Sequence, residues 1–268
     1  MVLKWLEKYA FAKSLDDPTF FRTIVRPTAY KLANGDPEKV HELALEAINE
    51  YLDVIKDKFE DFYFPNLEVN LGNLRVFPFG TAAGLDKNGD ALNPLSYLFG
   101  FLEPGTVILN ERKGNDRPRV VTDDNNEIIY NAQGFPSRGL SYFIQNVERH
   151  KNTDAPIPLL ISVCGIPPAP DQIEVAHQEL DQLVNALLPY ADGFVWNPFS
   201  PNTSALAALR TPEQFKRSAK LIKEKMLNDE LVLVKMGPYD HANKESWLEL
   251  LTGWFEGGGD GLVAVNTY

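Results

Sequence analysis

Short apolar runs, each ended by glycine or a polar turn, alternate with longer amphipathic stretches over most of the chain. In two of these stretches, residues 174–190 and 212–228, apolar residues recur at helical spacing. Strands that alternate with helices in this way are typical of a parallel sheet. The six runs predicted as strands are RVFPFG (75–80), FGFLEPGT (99–106), PLLISVCG (158–165), DGFVWN (192–197), ELVLVKMG (230–237) and DGLVAVN (260–266).

The N-terminal region has a different, helical pattern. The tripeptide Asp36-Pro37-Glu38 is a helix start, with a capping carboxylate, a proline at the first helical position and an acid in the first turn. An apolar stripe at helical spacing follows it for about five turns. The sequence therefore predicts a small helical unit over residues 1–60 and a β/α unit over residues 61–268.

Polar residues recur at the carboxyl ends of the predicted strands, the face at which a (β/α)8 TIM barrel builds its active site. A closed barrel of this type needs eight strands, so the six runs predict an incomplete barrel that lacks its last two β/α units. A dinucleotide-binding fold has no support, because no G-x-G-x-x-G motif follows the first strand. The polar residues at the strand ends are Lys87, Thr106, Ser162, Asn197, Lys235 and Asn266.

The composition excludes several classes of protein. With 26 basic and 37 acidic residues, the net charge is −11, which argues against a nucleic-acid partner. The one cysteine, Cys164, excludes an internal disulfide. The four histidines lack the spacing of metal ligands, so no metal is expected.

The first 35 residues depart from this acidic composition. They carry a net charge of +3, and Trp5, Leu6 and Tyr9 fall at helical spacing among lysines. Apolar and aromatic groups interleaved with basic ones suit the surface of an anionic membrane. A pair of helices packed on its own domain would show the same stripe, so both interpretations stay open. No apolar run approaches the roughly 18 to 20 residues of a membrane-spanning helix.

The stretch GFVWNPFSPNTSA, residues 193–205, ends a predicted buried strand in a polar loop. Pro198 and Pro201 fix φ and remove backbone donors, so this loop is stiff. Taken alone, the stretch is more typical of a hydrogen-bonded turn than of a functional site. Together, the strand-end loops are rich in carboxamides, lysines and hydroxyls. Such a set suits a planar substrate with ring N–H and C=O groups and a carboxylate.

Seven motifs follow one another along the chain: AAGLDKNG, PGTVI, GNDRPRVV, NAQGF, NPFSPNT, LVKMGP and GLVAVNT. In this order they resemble the loops of the dihydroorotate dehydrogenase family, and residues 36–52 resemble the N-terminal helix of its membrane-associated, quinone-linked class. The resemblance implies an FMN-containing β/α barrel that oxidises dihydroorotate to orotate in pyrimidine biosynthesis and passes the electrons to quinone. It also implies a peripheral position at the cytoplasmic face of the cell membrane, reached through the N-terminal helices.

The resemblance assigns the catalytic base to Ser200, which would take the C5 proton of the substrate as the C6 hydride goes to the flavin. A serine here resembles the quinone-linked class, since the soluble class uses cysteine. Thr203 and Phe135 would order the water that relays the proton. By the same resemblance, the substrate would be bound by Lys87, Asn131, Ala132, Gln133, Gly134, Phe135, Asn197, Asn202, Asn266 and Thr267.

The resemblance likewise implies a flavin site, in which Lys235 would lie beside the N1–C2 edge of the ring. Ser162 and Val265 replace an asparagine and a threonine of the family, and Ala132 replaces an arginine, so we expect the pyrimidine site to be more intact than the flavin site. The residues that would bind FMN are Ala83, Gly84, Lys87, Thr106, Ser162, Asn197, Lys235 and Val265.

Three expectations remain beside this assignment. The family holds the flavin phosphate with loops after the last two strands, so we expect this chain to bind FMN weakly or not at all. Flavin-linked oxidation of another small cyclic amide is an alternative activity. A non-catalytic, shortened relative is an alternative from a different class of protein.

Overall fold

The computed structural model describes four stretches of the 268-residue chain, namely residues 2–59, 65–124, 126–151 and 157–266. The N-terminal stretch is helical, as predicted. The Asp36 carboxylate caps the central helix by accepting hydrogen bonds from the backbone N–H groups of Glu38 and Lys39. The predicted apolar stripe is divided between two helices, because Tyr51 leaves the helical conformation between them. The elements are α1 (Val2–Asp16), α2 (Pro18–Phe20), a π-helical turn (Phe21–Val25), α3 (Arg26–Leu32), α4 (Pro37–Glu50) and α5 (Leu52–Phe59).

The basic, aromatic segment at the N-terminus keeps part of its apolar stripe exposed. Trp5 is 63% exposed and Tyr9 is 52% exposed, and their rings stack on the surface of α1. Lys4 and Lys8 form ion pairs with acids of α4 and α5, so part of the positive charge of this segment is neutralised within the protein. No helix in the described ranges is long and apolar enough to cross a lipid bilayer.

Two antiparallel hairpins lie outside the parallel sheet. In the first, β1 (Val69–Leu71) pairs with β2 (Leu74–Val76), and in the second, β3 (Val120–Asp123) pairs with β4 (Ile128–Asn131). The prediction of one strand over residues 75–80 is wrong, because β2 takes the first two of these residues into its hairpin. Only the last of the six forms a bridge to the parallel sheet.

The parallel sheet contains four strands that are hydrogen-bonded in chain order: β5 (Leu160–Val163), β6 (Gly193–Trp196), β7 (Leu231–Lys235) and β8 (Gly261–Val263). Two further segments extend this sheet through parallel bridges, Gly80 to Phe101 and Leu102 to Leu159. The six parallel segments therefore follow the order predicted from the sequence. Within the described ranges, no pairing between β8 and the segment at Gly80 closes them into a barrel.

Helices cover the outer face of this sheet, and its inner face carries a second apolar cluster. Phe194 and Trp196 of β6 point outward into the main core, where the Trp196 ring stacks on Trp254 at 5.8 Å between centroids. Val195, between them, points inward to a cluster that includes Leu160. Because side chains alternate along a strand, the inward positions end in polar residues at the carboxyl edge. The remaining helices are α6 (Leu92–Ser96), α7 (Leu140–Lys151), α8 (Ile173–Leu187), α9 (Pro212–Lys223) and α10 (Lys244–Glu256).

Candidate active site

A small cavity of about 100 Å³ lies at the carboxyl ends of the parallel segments. Five separate stretches of the chain form its walls, and they include the loop after β6 and the end of the β3–β4 hairpin. Twelve of the residues assigned from the sequence line it. They are Ala83, Gly84, Lys87, Thr106, Asn131, Gln133, Gly134, Phe135, Asn197, Ser200, Asn202 and Asn266.

A chain of side-chain hydrogen bonds orders the carboxamides of this cavity. The Asn266 amide donates to Asn197 Oδ1 at 2.9 Å, and the Asn197 amide donates to Thr106 Oγ1 at 2.9 Å. The hydroxyl oxygens of Thr106 and Ser162 are also 2.9 Å apart. Asn197, Thr106 and Ser162 are buried, so these bonds satisfy polar groups that water does not reach. The arrangement fixes the direction in which each donor and acceptor points.

The loop that carries Ser200 is held from one side by Arg210. The Arg210 guanidinium donates from Nε to Pro198 O at 3.0 Å and from Nη2 to Ser200 O at 3.3 Å. It also lies 4.9 Å from the centroid of the Phe199 ring. Burial lowers the pKa of this guanidinium. Ser200 lines the cavity and is 9% exposed. Its position is fixed because Pro198 and Pro201 stiffen the backbone and Arg210 binds it.

Thr203, which was assigned to the proton relay, lines a neighbouring cavity of about 530 Å³. Its side chain is buried, and within the described ranges its hydroxyl has no hydrogen-bond partner. Asn202 lines both cavities and therefore forms part of the wall between them. The Asn202 amide donates to the carbonyl of Asn131 at 3.1 Å, which links this wall to the β3–β4 hairpin.

Lys87 brings positive charge to the cavity. Its ammonium donates to Gly84 O at 2.8 Å. Burial lowers the pKa of Lys87, whereas the negative charge of Glu38 acts in the opposite direction. Glu38 belongs to α4, so the N-terminal helical region contributes to the electrostatics of the cavity.

The same Glu38 joins α4 to the loop before β3. Its carboxylate accepts two hydrogen bonds from Arg119, at 2.9 Å from Nε and 2.6 Å from Nη2, and both side chains are buried. Arg119 also donates to the carbonyls of Lys113 and Asn115. Although burial alone would raise the pKa of Glu38, its hydrogen bonds and charge contact with Arg119 hold that pKa below its ordinary value. The pair fixes the helix and the loop relative to each other.

Besides Thr203, five residues assigned from the sequence lie outside the lining of the cavity. Ser162 lies behind it, bonded to Thr106, and Lys235 is held in a buried ion pair with Glu103. Ala132 and Val265 are exposed and do not line it. The fifth, Thr267, lies outside the described residues.

Sequence reasoning missed three charged residues that organise this region: Arg210, Arg119 and Glu103. For two of them the signal is a lone charge beside an apolar run, since Glu103 interrupts FGFLEPGT and Arg210 follows SALAAL, whereas Arg119 lies in the motif GNDRPRVV. Arg119 and Glu103 bind groups far away in the chain, and Arg210 binds backbone carbonyls 10 and 12 residues before it. Partners at these separations leave no local pattern.

The cavity wall around Gly84 leaves space next to the backbone. Gly84 has a φ of +106°, and a Cβ atom there would meet no other atom within 4 Å. At Gly105 the backbone is crowded instead, since a Cβ atom would come within 2.6 Å of the Ser162 carbonyl oxygen. Thr106 and Asn197 present a hydroxyl and a carboxamide nearby. A flat, polar ring system fits this combination of open backbone and fixed donors.

A second, much larger cavity of about 990 Å³ lies between the N-terminal helices and the β3–β4 hairpin. Its lining is mainly apolar and comes from α1, the π-helical turn, α3, α4 and the hairpin. The apolar residues of this lining are Phe11, Leu15, Phe21, Val25, Ala29, Val40, Leu43, Ala44, Ala47, Ile48, Ile128 and Ile129.

Comparison with known proteins identifies relatives of the chain. Residues 66–268, more than half of it, match the family model described as dihydroorotate dehydrogenase. The chain is 29% identical over 274 residues to the dihydroorotate dehydrogenase (quinone) of Chloroflexus aurantiacus, covering 92% of this chain and 71% of that protein. It is 31% identical over 265 residues to the mitochondrial dihydroorotate dehydrogenase (quinone) of Mus musculus, covering 96% and 66%.

A third relative, the dihydroorotate dehydrogenase (quinone) of Marinobacter nauticus, is 34% identical over 198 residues, which cover 71% of this chain and 56% of that protein. The chain thus spans 56% to 71% of the length of these three relatives. Two solved structures of DHODH from Eimeria tenella share its fold. The ligand-free form has a TM-score of 0.70 at 25% identity, covering 87% of this chain and 70% of that one. The ferulenol complex has a TM-score of 0.69 at 24% identity, with coverage of 87% and 67%.

These comparisons confirm the α/β fold and the resemblance predicted from the seven motifs. The curated relatives are named as quinone-linked enzymes, and their family is flavin-dependent and oxidises dihydroorotate. The chain therefore belongs to the dihydroorotate dehydrogenase family, with its relatives in the quinone-linked class.

Proposed function

We propose that this chain carries the dihydroorotate-oxidising site of a quinone-linked dihydroorotate dehydrogenase with FMN as its cofactor. The observation that carries the proposal is the convergence of twelve residues, assigned from the sequence by the family resemblance, on one cavity from five stretches of the chain. Membership of the family supports it, because the site forms at the face where a β/α barrel places its active site.

The pyrimidine ring would be held by carboxamides. Asn131, Asn197, Asn202 and Asn266 line the cavity, and each side chain offers both a donor and an acceptor. A ring that presents N–H and C=O groups along its edge needs this mixture. Lys87 would bind the substrate carboxylate through a charge-assisted hydrogen bond.

Ser200 would act as the base that takes the C5 proton of dihydroorotate. A free serine hydroxyl is a poor base near neutral pH, so it needs a fixed position and a path for the proton. Arg210 provides the first, because it binds the backbone on both sides of Phe199. The unpartnered Thr203 hydroxyl, beyond Asn202, would order a water molecule that carries the proton away, with Phe135 beside it.

FMN, when bound, would accept the C6 hydride of the substrate. Ala83 and Gly84 would lie against its ring, where a Cβ atom on Gly84 would meet only open space. Thr106 and Asn197 would bind polar atoms of the ring, with Ser162 behind them. Lys235 would provide positive charge near the N1–C2 edge. The shorter Ser162 side chain and the exposed Val265 agree with weaker cofactor binding than a full set of family residues would give.

The quinone would enter the apolar cavity beside α4. Its volume of about 990 Å³ and its aliphatic and aromatic lining suit a large apolar ligand. In this proposal the two ligands bind in different cavities. The polar substrate binds at the strand ends, and the apolar acceptor binds beside the N-terminal helices.

The proposal is tested by reconstituting the chain with FMN and following flavin bleaching on addition of dihydroorotate. We expect Ser200→Ala to reduce the rate by about 10² to 10⁴, the usual contribution of a general base. The matched control is Ser204→Ala, an exposed serine in the same loop, which should keep the wild-type rate. A wild-type chain that takes up no FMN, or a Ser200→Ala variant that bleaches at full rate, contradicts the proposal.

We also propose that the N-terminal helices dock on an anionic membrane surface. Trp5, Leu6 and Tyr9 present an exposed apolar face on α1, next to basic side chains. Co-sedimentation with vesicles that contain anionic lipid should fall several-fold in the variant Trp5→Ser/Tyr9→Ser. It should not change in Leu227→Ser, which removes an exposed apolar side chain elsewhere. Equal sedimentation of both variants would rule out docking through this face.

A further inference from the structure

Glu103 is a buried carboxylate that is not among the proposed catalytic, substrate-binding or flavin-binding residues. It lies in the parallel segment next to β5, two residues after Phe101, and only 5% of it is exposed. Since Phe101 packs in the inner apolar cluster, the alternation of side chains directs Glu103 to the interior of the curved sheet as well. Its Oε1 is 2.9 Å from Nζ of Lys235 at the end of β7. β5 and β6 separate these segments in the sheet, so the ion pair crosses its interior.

The same carboxylate also contacts the loop that lines the candidate active site. The backbone N–H of Ala83 faces it and acts to lower its pKa. The N–H of Glu103 itself donates to Thr81 Oγ1 at 2.9 Å, which anchors the beginning of the same loop. Ala83 and Gly84 line the cavity directly. Glu103 therefore joins Lys235 to the wall at which the flavin ring is proposed to lie.

The ion pair between Glu103 and Lys235 is shielded from water, so each charge acts strongly on its surroundings. Burial raises the pKa of Glu103, and the charge and hydrogen bond of Lys235 oppose that effect, with a further contribution from the Ala83 N–H. Both side chains of the pair are about 6% to 7% exposed, so water screens neither charge. In such a pair, removal of one partner leaves the other charge uncompensated.

We propose that Glu103 is a positioning residue of the candidate active site, and that its carboxylate fixes the Lys235 ammonium against the Ala83–Gly84 loop and neutralises part of its charge. The proposal rests on the proposed function, in which Lys235 is the cation beside the flavin ring. A partly neutralised cation stabilises an electron-rich ring less than a free cation does. Glu103 would therefore set how strongly the protein favours the reduced cofactor over the oxidised one, without touching it.

The first test needs no cofactor and uses NMR of the isotopically labelled full chain. In Glu103→Gln we expect loss of the downfield shift of the Ala83 amide proton and loss of the exchange-protected ammonium signal of Lys235. In Lys235→Met the Ala83 shift should remain. Glu111→Gln, an exposed carboxylate, is the control and should change neither signal. An unchanged Ala83 amide in Glu103→Gln overturns the proposal. Should Glu103→Gln fail to fold, Glu103→Gln/Lys235→Met removes both charges together, and its Ala83 amide gives the same test against Lys235→Met.

The second test measures the affinity of the reconstituted chain for reduced and for oxidised FMN. We expect Glu103→Gln to raise the ratio of these affinities about tenfold in favour of reduced FMN, equivalent to about 30 mV for a two-electron couple. Lys235→Met should lower the ratio, and adding Glu103→Gln to Lys235→Met should change it less than about twofold. An equal effect of Glu103→Gln in both backgrounds would show that it does not act through Lys235. Absence of FMN binding in every protein would overturn the proposed function, whereas the NMR result still decides the contact of Glu103.

Discussion

The cavity at the strand ends and the cavity beside the N-terminal helices are built on opposite principles. The smaller one, about 100 Å³, is enclosed by loops whose polar side chains bind one another, as Asn266, Asn197 and Thr106 do. The larger one, about 990 Å³, is enclosed mainly by apolar faces of helices and one hairpin, with charged residues such as Arg26 and Asp124 also in its lining. The first can distinguish a ligand by the position of each donor and acceptor, whereas the second selects mainly for apolar character and size. This difference matches the proposed polar substrate and apolar electron acceptor.

One helix, α4, takes part in both regions. Val40, Leu43 and Ala47 on one side of it line the apolar cavity. Glu38, at its first turn, binds Arg119 and acts on the charge of Lys87 at the polar cavity. The two cavities therefore differ in the chemistry of their linings but share one helix. Variants of α4 and of its contacts test whether a change at one cavity affects the other.

The largest effect is expected from breaking the buried pair that attaches α4. We expect Glu38→Gln to lower the free energy of unfolding by about 3 kcal/mol, because it leaves the Arg119 guanidinium uncompensated. Urea unfolding at neutral pH measures this. The matched control is Glu42→Gln on the same helix, whose side chain and whose partner Arg117 are both nearly half exposed, and it should cost less than about 1 kcal/mol. Equal losses in both variants would mean that the buried pair does not hold α4 in place.

The same pair predicts a pH dependence with a definite sign. Despite the opposing effect of burial, Arg119 holds the pKa of Glu38 below its ordinary value. A carboxylate with a lowered pKa in the folded state stabilises the protein above its unfolded pKa of about 4.3, and this contribution is lost as the pH falls through the folded pKa. The difference in stability between wild type and Glu38→Gln should therefore narrow below about pH 4. A difference that stays constant in acid would contradict the assignment.

The polar cavity should depend on the charge of Lys87. We expect Lys87→Met to bind orotate about 10- to 100-fold more weakly at neutral pH, since a hydrogen bond to a charged group contributes about 1.5 to 3 kcal/mol. Because burial lowers the pKa of Lys87, wild-type affinity should decline at a pH below the ordinary lysine value of about 10.4. Calorimetric titrations over this alkaline range measure both effects. Lys87→Met should show no such decline, and the exposed Lys113→Met should behave as wild type.

Much of the fold was predictable because it depends on local patterns. The alternation of apolar runs and amphipathic stretches predicted the order of the six parallel segments, and the Asp36 cap was predicted from three residues. The two hairpins were not, because their strands are defined by pairing with each other rather than by burial. In the β3–β4 hairpin, Val121 and Ile129 are exposed apolar residues with no alternating pattern to mark a strand.

The candidate site also contains residues that the sequence predicted and residues that it missed. Asn197 was singled out because the end of a parallel strand is where a barrel places chemistry, whereas Ser200 was assigned by the family resemblance; both line the cavity. Arg210 and Glu103 were missed because their partners are set by the folded chain. Glu103 and Lys235 are 132 residues apart, and no local spacing connects them.

The smallest expected effect comes from filling part of the apolar cavity. It tests most directly whether the two cavities function independently. Ala47 lines that cavity on α4, so Ala47→Trp fills part of it. We expect the kcat/KM for quinone to fall about tenfold, equivalent to about 1.4 kcal/mol, because apolar contact area for the acceptor is lost. Steady-state assays with varied quinone concentration measure this. Bleaching of the flavin by dihydroorotate should change less than about twofold. Glu46→Trp adds the same side chain at the neighbouring, exposed position on the same helix and should leave both reactions unchanged. If Ala47→Trp slows both reactions equally, α4 transmits the change to the polar cavity, and the two regions do not function independently.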